Sequence, residues 1–316
     1  MNSKLTRFRA YQLGTEGSSY SYCANGHFSL VEARLTELSR ITLTQEMFEC
    51  GVEVIDVLHI TSWDQDHCNF SELEVLFDLV NPLSIECPGC EPKTENGLKC
   101  QRFIKNYKAS REGTNRAVHV KSITPDYIRN LGKADVYGFN NVILNPFFLD
   151  EECSNNNSTI KLFRNGSFNV LSLGDVECSK ISSRLRRSPI LQKETDIMIL
   201  SHHGADNGFT NQRLIANTKP SLAICASNYD NKFDHPRDEV RNILKKNKVP
   251  LLTTKTGDIV IQSVNEEESY FEAYNFISNT TKINSLNIYQ SKKSKILSHN
   301  ADTIRDSYKP KKRYPK

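Results

Sequence analysis

Residues 52–67 read VEVIDVLHITSWDQDH. The first half is short, apolar and rich in β-branched residues, which is how a buried strand reads. The second half sets Asp64, Asp66 and His67 directly behind it. Loops at strand ends carry function because a rigid scaffold holds them where solvent and ligands reach. Carboxylate oxygen and imidazole nitrogen are ligands for Zn²⁺ or Mn²⁺. A lone Asp-x-Asp-His is equally well a turn with a capping aspartate and an exposed histidine. The rest of the chain decides between the two.

Later segments end in the same way. STIKLFRNGSFNVLSLGD (158–175) alternates on both sides of Asn165-Gly166, which predicts a β-hairpin ending at Asp175. TDIMILSHHG (195–204) predicts a buried strand ending at His202 and His203. SLAICASN (221–228) predicts another strand, and His235 follows it. Residues 235–247 predict a helix with Pro236 first, Asp238 and Glu239 in its first turn, and Lys245 and Lys246 late. Each terminus taken singly has an ordinary reading as a turn or a cap. Together they place Asp64, Asp66, His67, Asp175, His202, His203 and His235 at strand ends. Gly174 permits close backbone approach, which suits Asp175 to bridging two ions.

The remainder sets the frame. The chain has 316 residues, 38% of them hydrophobic, and a formal net charge of +4. That length supports one large domain or two modest ones. Mild basicity is compatible with a polyanionic partner without naming it. No apolar run approaches the roughly 18 residues of a membrane span, and the first residues, MNSKLTRFRAYQLG, lack an apolar core. Nine scattered cysteines, an odd number, read as reduced thiols and hence a cytoplasmic chain. Cys87 and Cys90 form a lone Cys-x-x-Cys without a fourth ligand at a standard zinc spacing. Residues 5–35 predict short strands, and 71–80 a helix with Leu73, Val75, Leu76 and Leu79 on one stripe. Residues 81–140 are less regular and read as an insertion or cap. VPLLTT (249–254) and GDIVIQS (257–263) read as a closing strand pair. Residues 266–316 are polar and basic at the end, and read as a tail open to a protein partner.

In order and spacing these segments resemble the metallo-β-lactamase superfamily, in the branch typified by the soluble hydrolase domain of the DNA-uptake channel ComEC. TSWDQDH (61–67) falls at the family's Ser/Thr-His-x-Asp-x-Asp-His loop. NNNSTIKLFRNGSFNVLSLGD (155–175) falls at its hairpin entering Gly-Asp, DIMILSHHG (196–204) at His-His-Gly, and SLAICASNYDNKFDHP (221–236) at the strand before His-Pro. The resemblance implies an α/β fold, an αββα sandwich over residues 1–265, holding one or two Zn or Mn ions. It implies a stronger site of Asp66, His67, Asp175 and His235, with Asp64 and His202 helping to hold a second ion. It implies hydrolysis by attack of a metal-bound hydroxide, with Asp66 and His203 as catalytic residues and His203 donating to the oxyanion or leaving oxygen. Two departures stand out. Ser62 occupies the place of the family's first histidine, and Glu32 stands near where a family aspartate holds the metal loop. Three arrangements stay open: two ions, one ion, or a relic site in an interaction protein.

The expected bond is a phosphodiester, in a nucleic acid or a nucleotide, from the branch resembled and from Arg184, Arg186 and Arg187 between two site loops. Those arginines alone read as a solvated helix face. The competing classes are a catalytically weak or inactive interaction protein and a hydrolase of a small ester, amide or cyclic nucleotide. No membrane association is expected.

Overall fold

A computed structural model describes residues 5–131, 140–264 and 269–299. In chain order the elements are β1 (Arg7–Ala10), β2 (Tyr20–Ala24), β3 (His27–Val31), α1 (Glu37–Glu49), β4 (Val57–His59), α2 (Phe70–Val80), β5 (Ser84–Pro88), α3 (Glu95–Arg111), β6 (His119–Ile123) and α4 (Pro125–Asn130). There follow β7 (Val142–Asn145), β8 (Ile160–Phe163), β9 (Val170–Ser172), α5 (Ser179–Leu185), α6 (Pro189–Glu194), β10 (Ile197–Ile199), α7 (Gln212–Thr218), β11 (Leu222–Cys225), α8 (Asp238–Lys246), β12 (Leu251–Thr253), β13 (Ile259–Val264), β14 (Tyr270–Phe276), β15 (Ile283–Gln290) and α9 (Lys292–His299).

Among these residues the strands form two sheets. One runs β15-β14-β13-β1-β2-β3-β4-β5-β6, the other β12-β11-β10-β9-β8-β7. Three apolar layers fix the stacking. Phe8, Tyr20, Tyr22 and Val31 of the first sheet pack on Phe163, Val170, Ile197 and Ile224 of the second. Leu30, Leu58 and Ile85 on the other side of the first sheet pack against Leu43 of α1, Leu73 and Leu76 of α2 and Ile104 of α3. Leu162, Leu171, Met198 and Ala223 pack against Ile181 and Leu185 of α5, Leu214 of α7 and Leu244 of α8. Each large side chain so buried contributes roughly 1.5–3 kcal/mol. The result is an α/β chain folded as an αββα sandwich.

Strands β9, β10 and β11 are parallel neighbours, so their C-terminal ends open on one rim of the second sheet. β4 supplies the matching loop from the first sheet, tied across by the Thr159 N–H to the Thr61 carbonyl at 3.1 Å. The Asp175 and His202 loops are tied by the His202 N–H to the Gly174 carbonyl at 3.0 Å. Gly174 has φ +53°, and a Cβ there would stand 2.8 Å from the Ser158 Cβ. Only glycine lets that loop press so close.

Several expectations change. Within the stretch read as an insertion or cap, β5 and β6 extend the first sheet in parallel, and α3 joins its helix layer through Cys100 and Ile104. The irregular composition reflects an edge strand, β6, with exposed positions. The stretch read as a tail from residue 266 contains two strands. Tyr270–Phe276 and Ile283–Gln290 pair antiparallel at the edge of the first sheet, their polar faces being those of a sheet margin. Residues 300–316, the basic end of that tail, lie outside the described residues. The closing strand pair divides between sheets: β12 pairs with β11 and β13 with β1. The strand read over 52–60 narrows to Val57–His59, because the Asp56 carboxylate accepts the Phe28 N–H at 2.7 Å and turns the chain. The helix after His235 starts at Asp238, with Arg237 in extended conformation as its cap. No helix among the described residues is long and apolar enough to cross a membrane.

Candidate metal centre

The β4 loop carries Asp66 and His67 inward. His67 Nε2 lies 2.9 Å from Asp175 Oδ2 and 3.8 Å from Asp66 Oδ2. His203 Nε2 lies 3.2 Å from the same Asp66 oxygen. Asp66, His67, Asp175 and His203 each offer a ligand atom, and these atoms all lie within 4.8 Å of one another. Ligands about 2.0–2.2 Å from a shared ion stand roughly 3.3–4.3 Å apart, so the widest separations would close slightly and the 2.9 and 3.2 Å ones open slightly. Two imidazoles and two carboxylates suit Zn²⁺ or Mn²⁺.

Buried partners fix both imidazoles. His67 Nδ1 lies 3.0 Å from Glu32 Oε1. With the proton on Nδ1, the Nε2 lone pair faces the cluster. Nε2 is buried and makes no hydrogen bond, its 2.9 Å approach to Asp175 being poorly aligned for one. That is the condition of a nitrogen aimed at a cation. His203 Nδ1 donates to the Ala226 carbonyl at 3.0 Å, which turns its Nε2 the same way. Such outer partners orient ligating histidines and raise their basicity.

Charge agrees with the geometry. Burial would push the His67 imidazole down, but Asp175, Glu32 and Asp66 outweigh it and hold His67 well above its ordinary value. Burial would raise both carboxyls, but His67 and His203 hold Asp66 and Asp175 below the usual range. The carboxylates call for positive charge at this point. Protons on the imidazoles can supply it, and so can a divalent cation.

Glu32 holds the metal loop, the place the resemblance set for it. It sits one position past β3 with φ +71°, unusual for a residue with a side chain. Its carboxylate accepts the Thr61 N–H at 3.0 Å and the Thr61 hydroxyl at 2.6 Å, besides facing His67. One anion therefore shapes the loop and sets the His67 tautomer. Glu32→Gln would turn an amide N–H toward one of those donors. It is expected to weaken metal binding by roughly 10–100-fold, read by competition with a chelating dye. Unchanged affinity would remove Glu32 from this role.

The other candidates lie outside the cluster. The Asp64 carboxylate accepts the Ser62 hydroxyl at 2.9 Å, and the Ser62 oxygen accepts the Asp64 N–H at 3.2 Å, a closed local turn. His202 Nδ1 lies 2.5 Å from Glu177 Oε1. His235 is half-buried, its ring stacked 6.5 Å from that of His203. Burial, then His203 and His202, push it down to about 4, leaving a neutral ring beside the cluster. His202 and His203 are both left-handed, with φ 45° and 52°, so successive rings swing apart. No periodicity in the sequence says which one turns inward. Cys87 and Cys90 join no metal-ligating cluster among the described residues; Cys87 Sγ contacts the Lys121 carbonyl.

The chain is thus an αββα sandwich with metal-ligand donors gathered at its strand ends. In sequence the chain is similar to ComE operon protein 3 of Bacillus subtilis (strain 168), 23% identical over 228 residues, 71% of this chain and 26% of that protein. The chain thus spans about a quarter of that relative's length. No protein-family model matches the sequence. Similar solved structures include a diphosphatase from the PhnP family, at 12% identity and TM-score 0.39, covering 78% of this chain and 86% of that one. Another is Igni18, a metallo hydrolase from Ignicoccus hospitalis, at 12% identity and TM-score 0.42, covering 83% and 100%.

Proposed function

We propose that this chain is a metal-dependent hydrolase of phosphodiester bonds, in a nucleic acid or nucleotide, working at Asp66, His67, Asp175 and His203. The observation that carries the reading is the buried His67 Nε2, without a hydrogen bond, facing two carboxylates. A divalent cation bound there supplies Lewis-acid polarisation and lowers the pKa of water from 15.7 to about 7. His67 and Asp175 are nearly inaccessible, with side chains 2% and 6% exposed, and form the fixed floor of the site. Asp66 and His203 are more open, at 32% and 12%, and face what enters. Asp66 orients the attacking water and receives its proton. His203 is held by Ala226 through Nδ1; protonated on Nε2 as well, it would donate to the oxygen that gains charge, and the ion would then rest on Asp66, His67 and Asp175.

The competing reading, a non-catalytic interaction protein, draws on Ser62 and its closed turn with Asp64. One assay separates them. The purified chain, supplied with Mn²⁺ or Zn²⁺, is expected to hydrolyse bis(p-nitrophenyl) phosphate, with the rate abolished by EDTA. No hydrolysis above the metal-ion blank, under either cation, would favour the interaction protein.

A further inference from the structure

The loops that deliver Asp175 and His203 lead into α5 and α7, and between those helices lies a second concavity. It has a volume of 430 Å³ and is lined by Ser179, Ser183, Arg186, Asn211, Gln212 and Arg213. No carboxylate lines it. The stretch 178–193, CSKISSRLRRSPILQK, contains no acidic residue, and neither does 207–219, NGFTNQRLIANTK. Lys180, Arg184, Arg186, Arg187 and Arg213 make no ion pair among the described residues. Elsewhere arginines such as Arg7, Arg9, Arg34 and Arg164 are each matched to a carboxylate. Arg40, Arg102, Arg111, Arg116 and Arg241 also make no ion pair among the described residues; what sets the cleft apart is that two such arginines line it and neither flanking stretch holds an acidic residue.

Two features fit this cleft to a chain of phosphates. Its cations come from both walls, Arg186 directly after α5 and Arg213 on α7. The walls are joined: the Ser182 hydroxyl donates to the Phe209 carbonyl at 2.7 Å, and the Asn211 amide donates to the Ser182 hydroxyl at 3.1 Å. The Arg186 guanidinium rests on the Ser183 hydroxyl at 3.2 Å, which leaves other N–H groups to donate. Ser179 is four residues past Asp175, so the cleft begins within about 14 Å of the metal centre along the chain. A few nucleotides cover that.

We propose that the α5–α7 cleft binds the phosphate backbone of a single nucleic-acid strand, upstream or downstream of the bond presented to the metal centre. The inference rests on the phosphodiester reading and narrows it to a polymeric substrate. Arg186 and Arg213 are positioning residues here; each would neutralise one phosphate and add one to the salt dependence.

The test is fluorescence anisotropy of a labelled 15-nucleotide single strand with the full chain in EDTA, so that binding is read apart from hydrolysis. Arg186→Glu with Arg213→Glu is expected to weaken binding at least about 10-fold and to lower the salt slope by about 2. Lys245→Glu with Lys246→Glu on α8 makes the same change in net charge, and is expected to shift affinity less than about 3-fold. Equal losses in the two pairs, or no binding by the wild type, would overturn the proposal. Inorganic phosphate displacing the strand at low millimolar concentration would also overturn it, because a single-phosphate site would then suffice. Binding that needs Arg186 and Arg213, in a chain that hydrolyses no phosphodiester under any divalent cation, would uphold the cleft and sink the phosphodiester reading.

Discussion

Asp175→Ala is expected to abolish stoichiometric metal binding. The wild type, loaded with Zn²⁺ or Mn²⁺ and desalted, should carry at least one equivalent by mass spectrometry, and the variant close to none. The expectation follows from placement. Asp175 Oδ2 lies 2.9 Å from His67 Nε2, and the side chain is wholly enclosed behind Gly174. Loss of an outer partner costs roughly 10–100-fold in metal affinity, so loss of a donor within the cluster should cost at least about 100-fold. Alanine also leaves His67 with one fewer anion to balance it, so the cluster loses charge complementarity as well as a ligand. Hydrolysis should fall in step with metal content. The count is informative too. Asp64 is engaged with Ser62 and His202 lies against Glu177, so one equivalent matches this geometry and two would require both loops to rearrange. A variant that keeps its full equivalent would show that the ion sits elsewhere, and would take the catalytic assignment down with it.

The sequence displayed the centre more openly than the frame around it. Asp66, His67 and Asp175 follow strands whose apolar runs end abruptly, and that signal is local to a few residues. The αββα layering was implied by the family resemblance those segments carry. What stayed hidden depends on distance in the chain. Glu32 acts on Thr61 and His67 from about thirty residues away; the resemblance pointed to it, while no local pattern around VEARL does. His202 and His203 are adjacent and chemically identical, and only two consecutive left-handed residues decide that His203 joins the cluster. Residues 270–290 read as a tail because an edge sheet needs only one buried face, and β15 is largely exposed on both. Polar composition there marks a sheet margin instead of the absence of structure.

The interior holds one more polar bridge, and its disruption is expected to be the largest stability effect of a single substitution near the site. Glu86 of β5 accepts from Lys161 of β8 at 2.6 Å, and its carboxylate lies 2.8 Å from His59 Nδ1 of β4. Lys161 belongs to the second sheet and Glu86 to the first, so the bond spans the two layers beneath the metal loop. The side chains are 4%, 9% and 0% exposed. Glu86→Ala would strand the Lys161 ammonium, leaving only the Phe163 ring, 5.0 Å away, beside it. Removing one partner of a buried pair costs about 3–5 kcal/mol, whereas exchanging both for apolar groups can be neutral. Urea unfolding of the metal-free chain should therefore show a midpoint well below wild type for Glu86→Ala. Recovery is expected in Glu86→Leu with Lys161→Met. The pH dependence has a definite sign. Burial would raise the Glu86 carboxyl, but Lys161 and His59 hold it far below its ordinary range. Its contribution is then present above about pH 4.3 and is lost as pH falls through the lower folded value. Burial, then Lys161, pushes His59 down. The unfolded chain binds that proton more readily, so stability also declines as pH drops below about 6.5. Both slopes run the same way, and the gap between wild type and Glu86→Ala should narrow only in strong acid. A gap under about 1 kcal/mol at neutral pH would mean that water or a shifted side chain satisfies Lys161, and that the bridge specifies the register of the two sheets without stabilising them.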